Sequence, residues 1–153
     1  MLRISRLTDY ATVILASLAG GDLASAADIA ERTHIGVPTV SKLLKELQHA
    51  GLVTSVRGAH GGYQLARPAA EINAAAIIHA VEGPVALTEC AGGAGNCELE
   101  SNCLVGHGWQ RISRAIQRAL ADVSLEELVR REAPFSTPDF TRIAGLARAP
   151  ARG

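Results

Sequence analysis

The tract from Ser25 to Ala66 constrains the fold more than any other part of the chain. Within it, Val40, Leu43, Leu44 and Leu47 stand at i, i+3, i+4 and i+7, so a helix there carries one apolar stripe. Pro38 falls in its first turn, where a missing N–H leaves no bond unmade, and Gly51 closes it. Thr39, Ser41, Lys42 and Lys45 lie off the stripe. Upstream, "SAADIAERTHI" opens with Ser25 and Asp28 at the spacing of a capping box, and Ile29 and Ala30 begin the buried face of a short helix ending near His34. Downstream, "LVTSVRGAHGGYQLAR" divides into two extended runs, Leu52 to Val56 and Tyr63 to Ala66, around a glycine-rich tip. That pattern predicts a hairpin with a loop longer than two residues.

A first helix precedes this tract: Leu7, Tyr10, Ala11, Ile14, Leu15 and Leu18 recur at three and four, and Gly20 and Gly21 stop it. Aromatics are 3% of a chain that is 48% apolar, so the core must come from Ala, Leu, Ile and Val, which favours helices. Helix, short helix, tight turn, helix, hairpin is the order of a winged helix-turn-helix. Its third helix suits a major groove about 12 Å wide while the apolar side stays on the core. Glycines around Arg57 and His60 let the hairpin backbone approach a phosphate or a narrow minor groove. Each piece alone would be an ordinary helical core with a surface hairpin; the order of the pieces points to double-stranded DNA. Charge agrees with it: the formal net charge is zero, yet residues 35–67 carry Lys42, Lys45, Arg57 and Arg67 against the single acid Glu46.

Beyond Pro68, "EINAAAIIHAVEG" predicts a fourth helix buried through Ile77, Ile78 and Val81 and ended by Gly83 and Pro84. From about Leu104 to Val123, Trp109, Ile112, Ile116, Leu120 and Val123 form the stripe of a long helix, with Arg111, Arg114 and Arg118 on other faces. A chain of 153 residues offers too little domain to bury that stripe, so a homodimer is expected, with two recognition helices presented to consecutive turns of DNA. Ser124 and Glu127 start a last short helix, "LEELVRRE", and after Pro134 the composition turns to Pro, Ala and Arg without periodicity. The expected class is mainly α: a winged helix-turn-helix with a β-hairpin wing and a long C-terminal dimerisation helix. Residues 1–68 form the DNA-binding region, 69–87 a connecting helix, 88–107 a cysteine-rich loop, 104–132 the dimerisation helix and short terminal helix, and 133–153 a loose tail.

All three cysteines fall in the window "TECAGGAGNCELESNCLVGHGW": Cys90, Cys97 and Cys103, with His107 just behind. No apolar run is long enough for a membrane span and the N-terminus lacks an export pattern, so the expected compartment is the cytoplasm. Thiols there stay reduced, and an odd, clustered set points to metal or redox chemistry. Structural zinc usually takes tighter Cys-x-x-Cys pairs. Wide, glycine-rich spacing suits an iron-sulfur cluster, whose several thiolate bonds need slack backbone, although the spacing matches no ferredoxin string and zinc stays open. Three thiolates leave one coordination position. His107 and Asp9 are the candidates for it, Asp9 reaching across a dimer. A weaker fourth ligand makes the cluster easier to lose, which favours a sensor over an electron carrier. No phosphate loop, paired-carboxylate site or Ser-His-Asp arrangement is evident, so no enzyme is expected.

The stretches "LTDYA", "SAADIAERTHI", "VSKLLKELQHAGLV" and "SVRGAHGGYQLAR", with the three cysteines ahead of Trp109, resemble the iron-sulfur-cluster transcription regulators of the IscR and NsrR type over roughly residues 1–130. The glycine-rich loop looks most like the branch controlling the SUF cluster-assembly operon. The resemblance implies a homodimeric regulator, in the first instance a repressor, that binds a 2Fe-2S cluster, with 4Fe-4S as the alternative, and controls cluster-assembly genes. It implies Cys90, Cys97 and Cys103 as ligands. The IscR-type histidine falls at Gly106, one step before His107, and Asp9 is similar in position to the aspartate of the nitric-oxide-sensing members. Thr39, Ser41 and Lys42 stand where the recognition helix faces base edges, Lys45 where it meets phosphate, and Arg57 where the wing reaches the minor groove. Nitric-oxide or redox sensing, or zinc and thiol sensing without a cluster, are the rival expectations.

Overall fold

The computed structural model describes residues 4–58, 60–85, 87 and 105–130. Among these residues the chain order is α1 (Arg6–Leu18), α2 (Ala26–Thr33), α3 (Val37–His49), β1 (Val53–Val56), β2 (Gly62–Leu65), a 3-10 turn (Ala69–Glu71), α4 (Ala74–Glu82), α5 (Gly106–Ala121) and α6 (Leu125–Val129). The fold is mainly helical, with one antiparallel hairpin, as the periodicity predicts.

Four of the helices begin at a side chain that accepts one of their orphan N–H groups. Ser5 accepts from Thr8 N, and Asn73 accepts from Ala76 N at 2.8 Å. Ser25 with Asp28, and Ser124 with Glu127, form complete capping boxes at α2 and α6. Each such cap is worth about 1 kcal/mol. In both boxes the hydrogen bonds from the cap serine hold the carboxyl below its usual range. By contrast, α3 has no side-chain cap. Gly36 precedes it, and Pro38 in the first turn removes one N–H that would otherwise need a partner. Between α2 and α3 the chain reverses through His34, whose φ of 57° is left-handed.

The core gathers the stripes of the first three helices on one centre. Ala11, Ile14, Leu15 and Leu18 of α1, Ile29 of α2, and Val40, Leu43, Leu44 and Leu47 of α3 meet Leu52, Ile72, Ile77 and Leu125, all buried. Burying each large aliphatic side chain contributes roughly 1.5–3 kcal/mol before entropy is counted. Two expected core positions lie elsewhere: Leu7 is 39% exposed, and Ile78 is half-buried on the flank of α4. Leu7 sits in the first turn of α1, at the end of the helix where its apolar face is only partly covered.

In the hairpin Val53 pairs with Leu65 and Val56 with Gly62. It begins at Val53 rather than Leu52 because the Leu52 N–H still bonds Leu47 O at the exit of α3, while Leu52 O takes the Ala66 N–H at 3.0 Å. The other end of the molecule closes similarly. Val123 O accepts Ala74 N at 2.9 Å, Leu125 N donates to Ile72 O, and Asn73 bridges Ser124. Recruitment of that backbone ends α5 at Ala121, short of the expected Val123.

Candidate nucleic-acid interface and the flanks of the cysteine window

Because the α3 stripe is wholly committed to the core, the opposite side of the helix is left to solvent. Thr39 and Ser41 are half-buried beside it, and Lys42 and Lys45 are exposed. Lys42 Nζ lies 3.9 Å from Glu46 Oε1, an exposed i,i+4 pair worth a few tenths of a kcal/mol that a phosphate or base could displace. Two residues that spacing alone did not suggest, Val37 (47% exposed) and Pro38, stand uncovered at the N-terminal end of α3. Such an end can place apolar atoms against thymine methyls. Periodicity gave no signal for Val37: it is in phase with the stripe, three residues before Val40 and seven before Leu44, and so reads as core.

The wing is held from two sides. Gln48 Nε2, near the end of α3, donates to Ser55 Oγ of β1 at 3.1 Å. Tyr63 N donates to Ala24 O at 2.7 Å and Ala24 N to Tyr63 O at 3.1 Å, so β2 pairs with the residue that precedes the α2 cap. Two glycines make this approach feasible. A Cβ on Gly62 would lie 2.7 Å from Ala24 O, and one on Gly61 would strike Val56 O. Gly58 has a φ of 125°, which a side chain rarely adopts. Arg57 and His60 sit exposed at this tip. The predicted DNA-facing residues therefore occupy two adjoining elements, α3 and the wing, cross-tied through α2 and Gln48.

Cys90, Cys97 and Cys103 lie outside the described residues, as do most of the 88–107 loop and the 133–153 tail. The flanks of the window are described. On the entry side, Glu82 Oε1 at the end of α4 accepts the Ser5 N–H at 3.1 Å and the Thr8 hydroxyl. These bonds, that of Thr8 first, hold the Glu82 carboxyl below its usual range. Gly83 then takes a φ of 84° and ends α4. Val85 O accepts Gln117 Nε2 at 2.8 Å, and Leu87 N donates to Ser113 Oγ at 3.3 Å. On the exit side Val105 is the N-cap of α5. His107, in the first turn of α5, and Asp9, in the first turn of α1, are both exposed, and Asp9 lines a shallow depression with Ile4, Ser5 and Arg6. Among the described residues no group of three His, Cys, Asp or Glu side chains comes together as a metal site.

Of the α5 residues, only Gly106 and Ser113 are buried. Trp109 and Ile112 are 41% and 46% exposed, and Val105 61%. Along α5 the first part of the predicted apolar stripe, Trp109 and Ile112, is thus exposed, Ile116, Leu120 and Val123 are half-buried, and the helix packs on α4. Among the described residues no helix is long and apolar enough to cross a membrane.

A family model, Rrf2, described as an iron-dependent transcriptional regulator, matches residues 4–131. The HTH-type transcriptional regulator IscR of Xenorhabdus nematophila is 40% identical over 113 residues, covering 74% of this chain and 68% of that protein. Among solved structures, CymR, described as the global cysteine regulator of B. subtilis, superposes with a TM-score of 0.66 at 32% identity, over 87% of this chain and all of that one. IscR of T. potens superposes with a TM-score of 0.64 at 28% identity, over 87% of this chain and 93% of that one.

Proposed function

The chain belongs to the Rrf2 family of transcriptional regulators, and on that premise we propose that it is a homodimeric repressor whose grip on its operator follows the state of an iron-sulfur cluster held by the cysteine window. It is a DNA-binding regulator and not an enzyme. Thr39, Ser41 and Lys42 read base edges, Lys45 meets phosphate, and Arg57 and His60 enter the minor groove from the wing. The support is the exposed side of α3 beside a wing tied to the start of α2. The dimer forms along α5, where Trp109 and Ile112 are uncovered on a helix that gives no apolar side chain to the core.

The observation that carries the cluster reading is the closure of the window. Leu87 at its entry is bonded to Ser113, and Val105 at its exit caps the same helix, with Gly106 and Ser113 about 10 Å apart along the axis. The two described ends of the window thus return to one helix, and three thiols without a tight pair fit an iron-sulfur core better than structural zinc. Cys90, Cys97 and Cys103 would hold that core, with His107 or the partner's Asp9 as fourth ligand. When bound, such a cluster with one non-thiolate ligand supplies a group that oxidants, nitric oxide or iron shortage can change. The regulated genes on this reading are those of cluster assembly, and the site of action is the cytoplasm.

Anaerobic purification tests the proposal. A brown protein with iron and sulfide in equal amounts, whose Cys97→Ala variant is colourless, supports it. The likeness to CymR favours one rival, a thiol sensor without a cluster. Colourless protein, whether zinc-bound or metal-free, establishes that rival instead. Selection from a random duplex library tests the DNA assignment. Lys45→Ala should weaken all sequences alike and lower the salt slope by about 1, whereas Thr39→Ala should relax preference at particular bases.

A further inference from the structure

Six residues, Glu82 to Leu87, join the end of α4 to the window, and three of them are bonded to other elements. Glu82 holds the start of α1 through Ser5 N and Thr8 Oγ1, 77 and 74 positions away in sequence. Val85 and Leu87 are held by Gln117 and Ser113 of α5. Ser113 is 1% exposed. A buried hydroxyl is costly unless bonded, and the partner this one finds is the Leu87 N–H. Pro84 has a fixed φ, so little slack lies between the anchors at Glu82 and Val85. At the far end, α1 packs on both α2 and α3, and α4 also packs on α3. The contiguous path therefore runs from the window's entry to the DNA-facing helix.

Resting on the function proposed above, we propose that residues 82–87 are a strap that passes the state of the cysteine window to α1 and α5, with Glu82, Ser113 and Gln117 as its positioning residues. None of the three is among the proposed cluster ligands or the proposed DNA-facing residues. Their role is to make a change at Leu87 felt at Ser5 and Thr8, beside Asp9, and along α5. Spatial continuity alone does not establish coupling, so the test must measure coupling itself.

Wild type, Glu82→Ala, Glu82→Gln and Gln117→Leu are each prepared iron-loaded and iron-free and titrated with a duplex selected from a random library by the iron-loaded wild type. Amide hydrogen exchange is followed at residues 5–9 and 106–117 in both forms. The expected wild-type ratio of the two affinities is roughly tenfold, within the usual allosteric range. Glu82→Ala and Gln117→Leu should bring it to within about threefold of unity with iron content unchanged, and exchange at residues 5–9 should stop responding to iron. Glu82→Gln keeps an oxygen that can accept both bonds and should retain the ratio. Variants that hold their iron and keep the wild-type ratio overturn the strap, as do variants that lower the ratio only by shedding iron. If the wild type itself carries no iron, the proposed function fails and the strap with it, a result distinct from the other two.

Discussion

Gly62→Ala should release the wing from α2, and its cost can be worked from the geometry. The added Cβ would stand 2.7 Å from Ala24 O and 2.8 Å from Ala24 C, where ordinary contact begins near 3.4 Å. Both neighbours are backbone atoms, so relief requires β2 and the Ala24 segment to separate by roughly half an ångström or more. The pair of bonds between Ala24 and Tyr63, at 2.7 and 3.1 Å, is then stretched or lost. At about 0.5–1.5 kcal/mol net for each bond, the loss is roughly 1–3 kcal/mol. Ala24 is 1% exposed, so its N–H and C=O find no ready water and the upper half of that range applies. For a chain of this size a loss of about 2 kcal/mol lowers Tm by about 4–8 °C. Thermal melts followed by circular dichroism measure it, with Gly20→Ala as control, since Gly20 has no atom within 4 Å of its would-be Cβ. DNA binding by the variant should also lose salt slope by about 1, as Arg57 is no longer aimed by the hairpin. A Gly62→Ala protein that melts with the control and keeps wild-type exchange at the Ala24 and Tyr63 amides would refute the reasoning.

His34→Gly should stabilise the fold by about 0.5–1 kcal/mol, since a left-handed φ of 57° strains a residue with a side chain, and urea unfolding reads it directly. The stabilisation due to Glu82 depends on pH with a definite sign. Its carboxyl is held below the ordinary 4.5 by the Thr8 and Ser5 donors, so the contribution is full above that value and is lost as pH falls through the folded pKa. The gap in urea midpoint between wild type and Glu82→Ala should therefore be largest at neutral pH and shrink in acid; a constant gap would exclude the carboxylate as its source. Ile112→Asp, on the outward face of α5, should leave the melting of the core nearly unchanged and shift sedimentation to the monomer, whereas an unshifted dimer would place the interface elsewhere.

Elements were legible in the sequence where a local period or a cap specifies them. The stripe Val40, Leu43, Leu44 and Leu47 is buried throughout, and both Ser-x-x-acid boxes form as spaced. What spacing does not encode is a bond between distant backbones. The Ala24–Tyr63 and Asn73–Ser124 bridges carry no side-chain signature, and they decide where the wing sits and where α5 stops. Glu82 is the clearest instance. Read locally it is one more acid near a helix end, and only the fold brings it to the N-terminus of a helix 74 positions away. Leu7 shows the converse limit: it fits the α1 period, but a period says which residues share a face and not how far along the helix that face is covered.

The placement of α5 has a mechanical consequence. The helix contributes no apolar side chain to the core, yet it is not an appendage, because the chain on both sides of it is bonded into the reading unit. In its middle and second half, Ser113 and Gln117 grip Leu87 and Val85. Past its end, Val123 and Leu125 bond Ala74 and Ile72, and Leu125 is wholly buried in the core, where α6 packs on α1 and the 3-10 turn. Ahead of these attachments, in the first half of the helix, Trp109 and Ile112 are exposed. A second protomer seated on that side would bury apolar surface worth roughly 25 cal/mol per Å² without disturbing the reading unit's own core. A rotation imposed on α5 would strain the bonds at both attachments, which join half-buried and buried groups. Were a second protomer seated there, its pull on α5 would reach the start of α4 and the residues after it through these bonds, and α4 in turn packs on α3.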